Sequence, residues 1–452
     1  MTIGDAVPEI AMLGTGTHAV RIPPDLSVPL TRRVRALIDT PAMRRLSRVS
    51  QLGLVSLVYP GAVHTRFEHS LGVYRLALEF LGRLRHDKAF SDRVSPADAK
   101  AFVVAALVHD IGHWAFCHPI EDIRLEGLPA HESLVHGLVT HGEVADVLSR
   151  QWGVSAERVS GLIGGEADDP AGLLLSSLLS GPVDVDKMDY LARDSLHAGV
   201  PYGRHFDEER LLSSLRVAPD GRSLGISEKG RAAAEMLVTA RTVMFSEVYW
   251  HHTVRAATAM LQRAVWLVRD RIVPEQFVRF DDREFTDWIL AVSRGAPGAV
   301  LAEGLFGERR RLLKRVASFD SLERPDVHRR YSGRPYAAME RASHRLAAIL
   351  SSRTGVAIEP DLVVIDAPPV AREVEFRLPV ERQAAGGVTW HRLEDVSPLV
   401  RALAHEQFDN VVKRVRIFCP ADAAMKLAAD REKNEGGFDA FLAEAALEAA
   451  DS

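Results

Sequence analysis

The segment SPADAKAFVVAALVHDIGH, residues 95–113, constrains this chain more than any other. Ser95 is placed to cap a helix, Pro96 stands at its first position, where a missing N–H costs nothing, and Asp98 falls in the first turn. From Ala101 to Val108 every side chain is apolar, so the helix reads as buried and delivers His109 and Asp110 into the interior at its end. A charged carboxylate buried there costs several kcal/mol unless a cation or hydrogen bonds compensate it.

A buried helix of this kind needs a substantial body around it. The 452 residues, 47% hydrophobic and 26% charged, supply one large core with smaller appended pieces. The net charge of -5 gives no bulk attraction to nucleic acid. No run reaches the roughly 18 apolar residues of a membrane span, and the start MTIGDAVPEI lacks the layout of a signal peptide, so no membrane is expected and the cytoplasm is the expected compartment. Cys117 and Cys419 are the only cysteines, which excludes a Cys-rich zinc site and a disulfide framework. Any metal must be held by His and carboxylate.

The pattern predicts a mainly α protein with a smaller C-terminal α+β region. Helical spacing covers Val34 to Gly53, resumes near His69 after a Pro-Gly loop, and recurs at His131 to Trp152, Leu173 to Leu179, Val183 to Asp194 and Lys229 to Asp270. LRVAPDGRSLGIS reads as a hairpin closed by Pro219-Asp220-Gly221. Beyond Pro297, ERRRLLKRV and VHRRYSGRPYAAMERASHRL read as basic helices, LVVIDAPP and VKRVRIFCP as strands. The expected division is an N-terminal segment 1–25, a helical core 26–295, an α+β region 296–440 and a loose tail 441–452.

Four pieces carry chemistry: RFEHSLGV with His69, VHDIGHWAFCH with His109, Asp110, His113 and His118, PAHESL with His131, and DVDKMDYLARD with Asp184, Asp186, Asp189 and Asp194. Among 18 histidines a His-Asp neighbour arises by chance, and His86-Asp87, flanked by charge and lacking a second His one turn later, reads as surface. His69, His109, Asp110 and Asp186 form a mixed nitrogen and oxygen set that suits Mg, Mn, Fe, Ni or Zn without selecting one. On a helix, Asp186, Asp189, Tyr190 and Arg193 share one face, flanked by Lys187 and Asp194. Such a divalent metal acidifies water and polarises a phosphoryl oxygen, His113, His118 and His131 are candidate proton donors, and Arg66 and Lys187 can hold phosphate oxygens. No Walker-type glycine loop is present.

RFEHSLGV, HDIGHWAFCH and DVDKMDYLARD closely resemble the core blocks of the HD-domain deoxynucleoside triphosphate (dNTP) triphosphohydrolases, a family that includes the vertebrate SAM-and-HD-domain enzyme and many bacterial relatives; weaker similarity runs from Ile22 to Asp270. The resemblance implies a helical HD fold in which His69, His109, Asp110 and Asp186 bind the metal and a dNTP is hydrolysed at its α-phosphorus to nucleoside and triphosphate. It further implies that Arg66, His113, His118 and Lys187 contact phosphates, that Glu121 orients His131 as a proton donor, and that Gln51, Tyr190 and Asp194 lie beside the sugar. Residues 1–25 are too few for a SAM domain, and SEVYWHHTVRAATAML follows the bacterial branch. The resemblance also implies a homo-oligomer, dimer or tetramer, with a possible nucleotide effector near Arg309 to Arg315. Two other readings stand beside it: another HD phosphohydrolase, acting on nucleoside monophosphates or on cyclic or signalling nucleotides, and a non-catalytic nucleic-acid-binding scaffold, against which the net acidity counts.

Overall fold

Caps written in the sequence set the helix that matters most. In the computed structural model, which describes residues 1–369, 377–433 and 438–451, the Ser95 side chain accepts from Asp98 N while the Asp98 carboxylate accepts from Ser95 N, and the helix Pro96–Val108 follows. Every residue from Ala101 to Val108 is buried, and His109 caps the end. Thr65 caps Arg66–Leu84 by accepting from Glu68 N, and Asp184 caps Val185–His197 by accepting from Lys187 N. The chain divides into two compact units: Met1–Trp114, Pro129–Met244 and Glu375–Ala404 make the first, and Ala115–Leu128, Phe245–Val374 and His405–Ser452 the second.

In the first unit, Arg66–Leu84 packs against both Pro96–Val108 and Val185–His197. The expected hairpin is present: Leu215–Val217 pairs antiparallel with Leu224–Ser227, which in turn pairs parallel with Pro379–Ala384, itself in a hairpin with Gly387–Arg392. The second unit holds a three-stranded antiparallel sheet with Val415–Cys419 between Lys314–Phe319 and Val364–Asp366. Its core includes Val327, Tyr331, Leu346, Leu350, Ile365 and Ile417. The protein is mainly α with a smaller sheet-containing C-terminal region. Among the described residues, no helix is long and apolar enough to cross a membrane.

Several predicted elements take another form. The run Val34 to Gly53 splits into Arg32–Ile38 and Pro41–Leu46, because Pro41 donates no hydrogen bond and forces Thr40 into an extended conformation. His131 to Trp152 breaks at an extended His141, and Lys229 to Asp270 is interrupted by a π turn at Phe245–Tyr249 before His252–Leu267 begins. The stretch ERRRLLKRV is not a helix: Ala299–Phe306 stops before Gly307, and the chain enters the strand Lys314–Phe319, where pairing with Val415–Cys419 outweighs the helical spacing of Leu312, Leu313 and Val316. The tail expected to be loose is the helix Phe438–Asp451. Its Ala443, Ala446, Ala449 and Ala450 are buried beside Leu442, since alanine favours helix and permits close approach without bulk.

Glu208, in the first turn of the helix Glu208–Ser214, has a carboxyl pushed up to about 7 by burial and then by repulsion from Glu79. The folded state therefore keeps this proton to a higher pH than the unfolded chain does, and stability is lost as pH rises from the ordinary value of 4.5 towards 7. Glu208→Gln is expected to stabilise the protein at pH 8 by roughly 1 kcal/mol, or about 2–4 °C in midpoint, and to leave it unchanged at pH 4. Thermal melts at the two pH values check this; equal shifts at both would dismiss the charge as the cause.

Candidate metal centre

His69, one turn into Arg66–Leu84, and His109, at the end of Pro96–Val108, meet edge to face with ring centroids 5.1 Å apart. Their Nε2 atoms are 3.3 Å apart. Each Nδ1 is committed elsewhere: that of His69 donates to Asp189 Oδ2 at 2.8 Å and that of His109 to the Ala106 carbonyl at 2.9 Å. Both partners are acceptors, so both Nδ1 atoms carry hydrogen and two neutral rings would point lone pairs at each other. Asp186 Oδ1 lies 3.0 Å from His69 Nε2 and 3.7 Å from His109 Nε2, and Asp110 Oδ1 lies 3.3 Å from His109 Nε2. His69, His109 and Asp110 each offer a ligand atom, all within 4.8 Å of one another, and Asp186 reaches both imidazoles, spacings compatible with a shared ion at metal–ligand bonds of about 2.0–2.2 Å. The residues present fit a divalent cation.

The electrostatics point the same way. Burial opposes charge on His69, yet hydrogen bonds with Asp186 and Asp189 and the negative charge of Asp189 and Asp110 outweigh it and raise its pKa to about 10. Burial likewise opposes ionisation of Asp110, but the charges of His113, His109, Arg66 and His69 hold its carboxyl well below the usual range. The centre attracts positive charge, and a proton and a metal ion compete for it. Asp184, fully buried, is pushed up to about 6 by burial, against the charge of Lys187 and with the repulsion of Asp186.

Around this centre the first unit gathers most of the other predicted residues. Arg66 Nη1 donates to Asp110 Oδ2 at 2.9 Å, and Lys187 Nζ to Asp184 Oδ2 at 2.6 Å. His113 and His131 are both buried, with ring centroids 3.9 Å apart. Gly112 permits that approach, because an added Cβ would overlap the His131 carbonyl. Asp194 Oδ1 accepts from His64 Nε2 at 2.9 Å, and Gln51 N donates to the His64 carbonyl at 3.0 Å, so His64 ties two of the three residues expected beside the sugar. Tyr190 is half-buried, and burial raises its phenol above the ordinary range. His118, exposed, and Glu121, half-buried, lie on the helix Cys117–Glu121 of the second unit.

Sequence reading overlooked His64, Glu68 and His197 and gave Asp189 and Arg193 no partner beyond their own helix. The i, i+4 spacing of Asp189 and Arg193 was the available signal. Arg193 grips Asp189 with Nε at 2.8 Å and Nη2 at 2.7 Å, and Glu68 Oε1 with Nη1 at 2.7 Å.

A helical core that gathers two imidazoles and two carboxylates, with further histidines a turn away, makes a candidate metal site of the kind a helical hydrolase uses. Residues 66–194 match the HD domain and residues 206–434 the HD associated region; the chain belongs to the HD superfamily of phosphohydrolases. It is 37% identical over 231 residues to an uncharacterised protein of Methanocaldococcus jannaschii, covering 51% of this chain and 45% of that one. It is 28% identical over 258 residues to the deoxynucleoside triphosphate triphosphohydrolase SAMHD1 of Gallus gallus, covering 50% of this chain and 42% of the relative. The chain spans about half the length of the curated relatives it matches. A hypothetical protein from Aquifex aeolicus shares its fold with a TM-score of 0.68 and 25% identity, over 90% of this chain and 99% of that one.

Proposed function

We propose that the protein is a metal-dependent dNTP triphosphohydrolase. Water adds at the α-phosphorus, the bond from that phosphorus to the 5′ oxygen breaks, the 5′ oxygen takes a proton, and a deoxynucleoside and triphosphate leave. The observation that carries the reading is the pair of Nε2 acceptors facing each other across 3.3 Å between two carboxylates. A divalent ion held by His69, His109, Asp110 and Asp186, whether Mg, Mn, Fe, Ni or Zn, supplies Lewis-acid polarisation of a phosphoryl oxygen and a more acidic water.

The chain's own groups supply the rest. Arg66 and Lys187, each held by an acidic neighbour, present cationic donors to phosphate oxygens, and His118 joins them. His113 and His131 stand together as the means of moving a proton to the leaving oxygen, with Glu121 assigned to orient His131. Gln51, whose Oε1 is buried without a hydrogen-bond partner, Tyr190 and the anchored Asp194 are assigned to the sugar. The Gallus gallus relative, named as a deoxynucleoside triphosphate triphosphohydrolase, supports the substrate class. In the second unit, a cavity of about 330 Å³ lined by His252, Arg310, Lys314 and Arg315 suits the phosphates of a nucleotide effector, and we assign a homo-oligomer, dimer or tetramer, as the assembly.

The test is product identification. Purified protein supplied with each divalent metal is expected to release triphosphate and deoxynucleoside in equal amounts from a dNTP. Orthophosphate from a nucleoside monophosphate, or ring opening of a cyclic nucleotide, with dNTPs left intact would assign it to another branch of the superfamily. Strand binding without any hydrolysis would leave only the scaffold reading.

A further inference from the structure

The hydrogen bonds behind His69 continue well past the metal centre. Asp189 accepts His69 Nδ1–H on Oδ2, at 2.8 Å, and both donors of the Arg193 fork. Arg193 Nη1 passes on to Glu68 Oε1 at 2.7 Å, which also accepts from His197 Nε2 at 2.9 Å. The His197 ring stacks on His64 with centroids 4.3 Å apart and planes 16° from parallel, and His64 holds Asp194. The chain of contacts stitches the N-terminal turns of Arg66–Leu84 to the whole length of Val185–His197. Arg193 and Asp189 have side chains only 2% and 5% exposed, so solvent does not loosen the fork.

We propose that Asp189 and Arg193 are positioning residues for the metal ligand His69, and that Glu68 and His197 brace them. This rests on the metal reading above. Asp189 fixes which ring nitrogen of His69 carries hydrogen and aims Nε2 at the cation, and Arg193 keeps the Asp189 carboxylate from rotating away. Glu68 sits at the centre because one oxygen serves two donors. It touches neither His109, Asp110 nor Asp186 among its hydrogen-bond and ion-pair partners. Because the line ends on Asp194, the same scaffold holds the metal ligand and the residue assigned to the sugar.

The experiment titrates the full-length, metal-stripped chain with Mn²⁺ and follows free ion by electron paramagnetic resonance, so it reads the site without substrate. Asp189→Asn is expected to weaken Mn²⁺ binding by about 10–100-fold. Glu68→Ala is expected to weaken it less, and Glu68→Gln, which keeps the accepting oxygen, to restore most of the loss. Val159→Ala, a cavity variant elsewhere in the same unit, controls for loss of stability and is expected to bind as the unchanged protein does. Wild-type affinity in a folded Asp189→Asn overturns the proposal while leaving the metal reading intact, as does a loss in Val159→Ala equal to that in Asp189→Asn. Absence of Mn²⁺ binding in the unchanged protein overturns both.

Discussion

Asp186→Ala is expected to lose divalent-metal binding and to lower turnover by roughly a thousandfold or more, with its helical circular dichroism unchanged. The side chain stands 3.0 Å from His69 Nε2 and reaches His109 Nε2 as well, so removing it takes away a charged oxygen shared by both imidazoles. The cost falls on binding rather than on folding. Asp186 is 33% exposed at its side chain, so truncation opens no closed cavity, and it relieves the repulsion that helps push the buried Asp184 upward. In the metal-free protein the loss is partly offset by Asp189, which continues to accept from His69 Nδ1. The checks are metal content by elemental analysis, product release from a dNTP, and the far-ultraviolet spectrum on one preparation. Retained turnover removes Asp186 from the centre, and a collapsed spectrum shows that the carboxylate holds the fold instead.

The candidate metal constellation was legible as a cluster of side chains because its members sit in short blocks whose local structure is decided locally. Ser95, Pro96 and Asp98 start a helix whose apolar run sends His109 and Asp110 inward, and Asp184 starts another with Asp186 in its first turn. The bracing groups were illegible for the opposite reason. His64, Glu68 and His197 are ordinary polar residues until two helices pack, and their bonds join positions 125 to 130 apart in the chain. Distance in sequence also hid the sheet of the first unit, where Ile226 pairs with Val380. Periodicity misled at ERRRLLKRV, where a helical pattern of apolar residues yields to strand pairing that only the partner Val415–Cys419 reveals. Alanine misled at the C-terminus: few bulky side chains read as little to bury, yet small side chains bury a helix face by letting backbones close in.

Gly72→Ala is expected to destabilise the protein by about 3 kcal/mol or more, against the direction that helix propensity gives. Replacing an interior helix glycine by alanine ordinarily gains about 1 kcal/mol. Here the added Cβ would overlap Asp189 Oδ1 and Arg193 Nη2 together. Neither group has room to retreat, since both are buried and Asp189 already accepts from Arg193 and His69. The methyl must therefore part a buried ion pair, a break that costs about 3–5 kcal/mol and exceeds the propensity gain. Gly82→Ala on the same helix is the matched contrast. Its Cβ would meet only Ile10 Cγ2, at 3.4 Å, an ordinary contact, so propensity prevails and the variant is expected to be neutral or up to about 1 kcal/mol more stable. Urea denaturation of the two variants beside the unchanged protein decides the matter. If the two shift alike, the close passage of Gly72 past the Asp189–Arg193 fork is not what the helix at this point was built around.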